Sequence, residues 1–250
     1  MKVTEKWPVV TAENVFDVVR ARGIRPWPAE RKPQAASEYL QAAGSEQIAE
    51  FNQFAPSVEV VTHKNPHADP CNSTFTGFRV VQKPVACVFA LMDGYLPVTA
   101  EWKHGNDLIT LVPPAGVPGK QEVGLPLNEA LEATALREFL EETGVPLRNV
   151  VHLGTHNGTW STVRNSWTVF HSYFGRALRV EPGRTKFDAT EHLAMVLFSL
   201  PEWVKLIFDT PFIPPDFGIE AVARDTTTLA LRHLGRLEIK FDSEDAWSLW

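Results

Sequence analysis

Residues 137–144 read "REFLEETG" and set Glu138, Glu141 and Glu142 within one helical turn of each other. Carboxylates spaced i, i+3 and i+4 share a helix face, where like charges oppose each other. These three also fall in the last turn before Gly144, at the end where the helix dipole disfavours anions. The placement therefore costs stability twice. A solvated acidic face is the plain alternative, but it leaves both costs standing. A hard divalent cation offsets them, because such ions take carboxylate oxygens, with waters and a substrate phosphate completing the shell. The first expectation is a Mg2+ or Mn2+ site on Glu138, Glu141 and Glu142.

A helix must carry that site and a sheet must support it. The stretch from Leu127 to Glu142 has the pattern of a helix, with Gly144 as its left-handed stop. Ahead of it lie the β-rich segments "FRVVQ", "VACVFALM", "LPVTAEW" and "LITLVPPAG", with "DGY" at 93–95 as a hairpin turn. After it, "HSYFGRALRV" and "HLAMVLFSL" predict strands, and "PEWVKLI" and "DTTTLALRHLG" predict helices. Strands and helices interleave without a strict βαβ rhythm, which predicts an α+β fold with a mixed sheet. Near the N-terminus, "TAENVFDVVRARG" predicts a helix capped by Thr11 and ended by Gly23, and a second helix is expected across "ASEYLQAAGSEQIAEFNQF". Residues 1–80 read as an N-terminal extension and 81–250 as the main domain.

The 250 residues, 44% of them hydrophobic, can bury a full core, and the formal charge is −6. Nine basic and nine acidic side chains balance in the first eighty residues, so no basic face is offered to nucleic acid or to an acidic membrane. With only Cys71 and Cys87 there is no disulfide framework, and a reducing cytoplasm fits. The longest apolar run, "PVACVFALM", is too short to span a bilayer. His63, His67, Asp69 and Cys71 offer ligand atoms, but a Pro- and Asn-rich loop explains them more simply than zinc. "GVPGKQ" lacks the spacing and the Ser or Thr of a phosphate loop.

Glu129, seven residues, then "REFLEETGV" resembles the Nudix box, whose pattern is Gly, five residues, Glu, seven residues, Arg-Glu, an apolar residue, any residue, Glu-Glu, any residue, Gly, apolar. The glycine expected before Glu129 is Val123, and Gly116 of "PPAG" looks like the loop-opening glycine, with about seven inserted residues. "ITLVPPAG", "EWKHG" and "ARDTTTLALRHL" look like the branch that hydrolyses ADP-ribose and nucleotide sugars. The resemblance implies a Nudix fold, a mixed sheet sandwiched between helices. It implies metal-dependent hydrolysis of the pyrophosphate bond in a nucleoside diphosphate linked to another moiety. The box residues Glu138, Glu141 and Glu142 would hold metal with the backbone near Ala115, while Arg137 and Glu129 would support loop and helix. For the base, the resemblance points to a box glutamate or to a later loop, "TKFDATEH", with Glu191 and Asp188. Trp102, Lys103 and Arg164 are candidate substrate contacts, with Trp160 and Trp167 nearby, although packing explains any one tryptophan as well. A small-molecule partner and a homodimer follow from the same likeness. Two other readings stay open: a non-catalytic nucleotide sensor, and a Nudix hydrolase of mononucleotides or capped RNA.

Overall fold

The computed structural model describes residues 7–25, 57–64, 74–81, 83–103, 108–158, 166–177, 193–210 and 212–237, with backbone alone for 57–64, 74–81, 156–158 and 166–167. Its strands are β1 (Val9–Val10), β2 (Ser57–Lys64), β3 (Thr74–Val81), β4 (Val85–Met92), β5 (Tyr95–Lys103), β6 (Leu108–Val112), β7 (Ala115–Gly116), β8 (Leu147–Gly158), β9 (Ser166–Ala177), β10 (Leu193–Ser199) and β11 (Phe217–Ile219). The helices are α1 (Val15–Ala21), α2 (Leu127–Thr143), α3 (Leu200–Val204) and α4 (Ala221–His233). The helix expected across 36–54 lies outside the described residues.

The sheet is mixed, running β1-β10-β5-β4-β9-β3-β2. Its centre is the β4–β5 hairpin, whose turn holds Asp93 at φ 49° and Gly94 at φ 84°. Two consecutive positive φ values make the tight turn whose twist matches the strands it joins. Beyond that turn the two strands part. The start of β4 pairs with β7, Ala86 opposite Gly116 and Cys87 opposite Ala115. The end of β5 pairs instead with β6, Glu101 opposite Thr110 and Lys103 opposite Leu108. β6 in turn carries β11 in parallel. A fork thus opens between the β4/β7 lip and the β5/β6/β11 lip.

Alternation along the strands fills two cores, one on each face. Ala86, Val88, Ala90 and Met92 of β4 pack with Leu131, Ala135 and Phe139 of α2, joined by Tyr173, Met195, Leu197 and Trp7. Cys87 and Phe89 turn to the other face, with Val98, Ala100 and Trp102 of β5, Trp203, and Val222, Ala223 and Ala230 of α4. Trp203 is fully buried, and its indole N–H donates to Thr227 Oγ1 at 2.9 Å. The helices therefore sandwich the sheet.

The described part of the N-terminal region belongs to this body. β1 pairs in parallel with β10, and Val15, Phe16 and Val19 of α1 join the core beneath α4. Thr11 and Asn14 cap α1 reciprocally: the Thr11 N–H donates to Asn14 Oδ1 at 2.8 Å, and the Asn14 N–H to Thr11 Oγ1 at 3.2 Å. Gly23, at φ 83°, ends the turn. β2 and β3 extend the far edge of the sheet through the β3–β9 contact.

Candidate functional site

α2 packs on β4 and β7, at one lip of the fork, because one of its faces is apolar. Leu131, Ala135 and Phe139 recur at helical spacing and bury completely. Thr134 sits in the same stripe, its hydroxyl satisfied by the Ala130 carbonyl at 2.7 Å. Gly144, at φ 68°, takes the left-handed position that only glycine fills cheaply, and its N–H donates to the Leu140 carbonyl at 2.7 Å. This stop leaves Glu138, Glu141 and Glu142 on the last turns, beside the buried stripe.

Arg137 organises them. Its Nη1 lies 2.8 Å from Glu138 Oε1 and donates to Glu141 Oε2 at 2.9 Å. Its Nε donates to Glu122 Oε1 at 3.0 Å, and its Nη2 to the Val117 carbonyl at 3.0 Å. Burial works against the guanidinium charge, but Glu138 and the hydrogen bonds to Glu122 and Glu141 outweigh it and hold Arg137 above its ordinary range. Glu122 closes the loop from the other side, its Oε2 accepting the Gly119 N–H at 2.6 Å. Only 3% of Glu122 is exposed. Glu129, assigned to this support role from the box pattern, is instead exposed on the first turn of α2. There it meets the positive end of the helix dipole, while the Arg137 Nε bonds Glu122.

Gly116 faces Glu138 directly. A Cβ built at Gly116 would lie 2.1 Å from both Cδ and Oε1 of Glu138, so the carboxylate occupies the space a side chain would take. Ala115 lies next to it in β7, opposite Cys87. Glu142 stands one turn on, with its Oε2 shielded from solvent. Hard oxygen donors on one helix face, over a cradle kept open by glycine, suit a divalent ion such as Mg2+ or Mn2+. Among the described residues no three acidic, His or Cys side chains already converge as a cage. Glu138 and Glu141 point at Arg137, so sharing an ion requires them to turn.

The opposite lip of the fork supplies a second group of charges. Thr99 is paired with Met195, which packs on the α2 face; by alternation Glu101 and Lys103 point to that face as well. Lys103 forms an ion pair with Glu101. Thr110, opposite Glu101, donates its hydroxyl to Glu220 Oε1 at 3.2 Å, and Glu220 sits immediately before α4. Burial pushes the Glu220 carboxyl above its ordinary range, opposed by Lys103 and the Thr110 hydrogen bond and assisted by Glu101. Lys103 is held above the usual lysine range: burial works against it, and Glu101, Glu220 and Glu142 outweigh burial. Cys87 lies below, its thiol pushed up to about 12 chiefly by burial. Trp102, expected as a substrate contact, is 8% exposed and packs in the core on the other face. The same alternation that brings Lys103 to the fork turns Trp102 away.

The family model of the NUDIX domain matches residues 83–213. The chain belongs to the Nudix family. No curated protein sequence matches it. A solved structure of an ADP compounds hydrolase shares the fold at 20% identity and TM-score 0.50, over 73% of this chain and 97% of that one. The NUDIX domain of Shewanella oneidensis NrtR, complexed with ADP ribose, aligns at 14% identity and TM-score 0.45, over 67% and 94%. A NUDIX hydrolase from Nitrosomonas europaea aligns at 21% and TM-score 0.40, over 64% and 98%.

In this Nudix hydrolase the box is read differently once Glu122 is seen at Arg137. Gly116, five residues and Glu122 satisfy the first half of the pattern. The insertion follows instead: fourteen residues, 123–136, separate Glu122 from Arg137 where the pattern has seven. They form the turn through Pro126 and lengthen α2 at its N-terminus. The spacing Gly116 to Glu122 was the available signal. Glu101, Thr110 and Glu220 carried none, since only strand register assembles them. Asp188, Glu191, Arg164 and Trp160 lie outside the described residues, and Trp167 is described by its backbone alone.

Proposed function

We propose that this Nudix hydrolase cleaves the pyrophosphate bond of a nucleoside diphosphate linked to another moiety, with ADP-ribose or a nucleotide sugar as the leading substrate class, and that it needs Mg2+ or Mn2+. The observation that carries the reading is the pairing of Gly116 with Glu138: a glycine where any side chain would collide supports a carboxylate kept in place for a purpose. Glu138, Glu141 and Glu142 would hold the metal. Bound there, divalent ions neutralise the phosphate oxygens and lower the pKa of the attacking water. Arg137 holds the loop at Val117 against the helix and fixes where the carboxylates begin. The base is Glu191, Asp188 or a box glutamate. Water adds across one P–O–P bond, and two phosphate monoesters leave. The substrate class rests on the sequence likeness around "ITLVPPAG" and "ARDTTTLALRHL", and the ADP compounds hydrolase among its fold relatives makes such compounds the first to assay.

The test is a panel of ADP-ribose, nucleotide sugars, mononucleotides and capped RNA, incubated with Mg2+ or Mn2+ and with chelator, and resolved by chromatography. Metal-dependent release of a nucleoside monophosphate from ADP-ribose or a nucleotide sugar supports the reading. Cleavage confined to mononucleotides or caps overturns the substrate class. Tight nucleotide binding without turnover of any member replaces the hydrolase by a sensor.

A further inference from the structure

We propose that Glu220 is a positioning residue which, with Glu101, holds the Lys103 ammonium over the fork so that it meets a phosphate oxygen of the substrate. The inference rests on the function proposed above. Strand register brings the parts together: Glu101 is opposite Thr110, and Thr110 is opposite Gly218, two residues before Glu220. Glu220 is fixed at both ends, its N–H donating to the Leu111 carbonyl at 3.4 Å and its carboxylate accepting from Thr110 at 3.2 Å.

Lys103 needs such a frame. It ends β5 with a side chain 39% exposed, and a four-carbon stem loses much rotamer freedom when its ammonium is held. Glu101 pairs with it directly, and the charges of Glu220 and Glu142 add to the pull. Divalent ions on the box glutamates would cancel the pull of Glu142, leaving Lys103 held by the β5/β6/β11 lip and free on the side where the pyrophosphate lies.

The test is calorimetric binding of ADP in the presence of Mg2+, by the full chain and by E220Q, E101Q, K103M and the E220Q/K103M double variant. A parallel Mn2+ titration is made without nucleotide. K103M should weaken ADP by about tenfold, as expected for one charge-assisted contact. E220Q and E101Q should weaken it less, and the double variant no more than K103M alone, because Glu220 acts through Lys103. Mn2+ affinity should be unchanged in E220Q, and its hydrolytic defect should fall on KM rather than kcat. Losses that multiply in the double variant, unaltered ADP binding by E220Q, or weakened Mn2+ binding by E220Q would each overturn the inference. A wild-type protein that hydrolyses its substrate while E220Q matches it refutes this inference alone. A wild-type protein that neither binds nor cleaves any nucleotide refutes the functional reading and this inference with it.

Discussion

Replacing Gly116 with alanine separates the site from the fold. The added Cβ would stand 2.1 Å from Glu138 Cδ, whereas ordinary contact begins at 3.4 Å, so the carboxylate must retreat by about 1.3 Å. A retreat of that size lengthens the 2.8 Å contact of Glu138 with Arg137 and shifts the position from which the carboxylate would turn onto an ion. Misplacing a reacting or orienting group by about 1 Å costs on the order of 100-fold in rate. Stability should hardly change. The backbone at Gly116 is not in the left-handed region, so alanine stiffens the unfolded chain and returns about 0.4–1 kcal/mol. The weakened Arg137–Glu138 tie removes about 1 kcal/mol, and the two nearly cancel. The assay pairs kcat/KM on the best panel substrate with thermal melting followed by circular dichroism. The expected result is a loss of about 100-fold with Tm within a few degrees of wild type. Activity within about threefold of wild type, with the same Tm, would refute the cradle argument.

Glu122→Ala leaves Arg137 partly buried without its Nε partner and should destabilise by about 3 kcal/mol, while Glu129→Ala on the exposed first turn should change stability by less than about 0.5 kcal/mol. Urea unfolding of both variants decides which acid belongs to the box. Trp102→Ala should cost about 3–5 kcal/mol as a core deletion; an unchanged midpoint with a raised KM would return Trp102 to the substrate. His171 is held below 6.5 by burial and by His152, so the folded state disfavours its protonation. That destabilisation is absent above 6.5 and grows as pH falls from there through the lowered pKa. His171→Phe should flatten the fall of unfolding free energy over this window, and an unchanged slope would refute the assignment.

The elements that announce themselves locally were legible. α2 has its stripe and Gly144, and the β4–β5 hairpin has Asp93-Gly94; both form where the residues predict. β8 gave no such signal. Register shifts between Arg148 and Val151 and between His152 and Gly154 break its alternation, and Asn149 at φ 51° reads as turn rather than strand. Trp102 could have been placed by parity, since Val98, Ala100 and Trp102 share one face while Thr99, Glu101 and Lys103 share the other. Glu122 was hidden by counting back from Arg137, which passes over an insertion that the spacing from Gly116 reveals. The Thr110–Glu220 hydrogen bond that brings Glu220 to the lip of Glu101 and Lys103 is a product of long-range register, with more than a hundred residues between Thr110 and Glu220, and no local pattern encodes it.

The most direct test of the account is the rate of nucleoside monophosphate release from ADP-ribose as Mg2+ is raised from zero, for wild type and for Glu142→Gln. The account predicts a saturating rise in the wild type, abolished by chelator, and a loss in the variant on the order of 100-fold or more. A rate that persists in chelator, or a Glu142→Gln protein as fast as wild type, would contradict it.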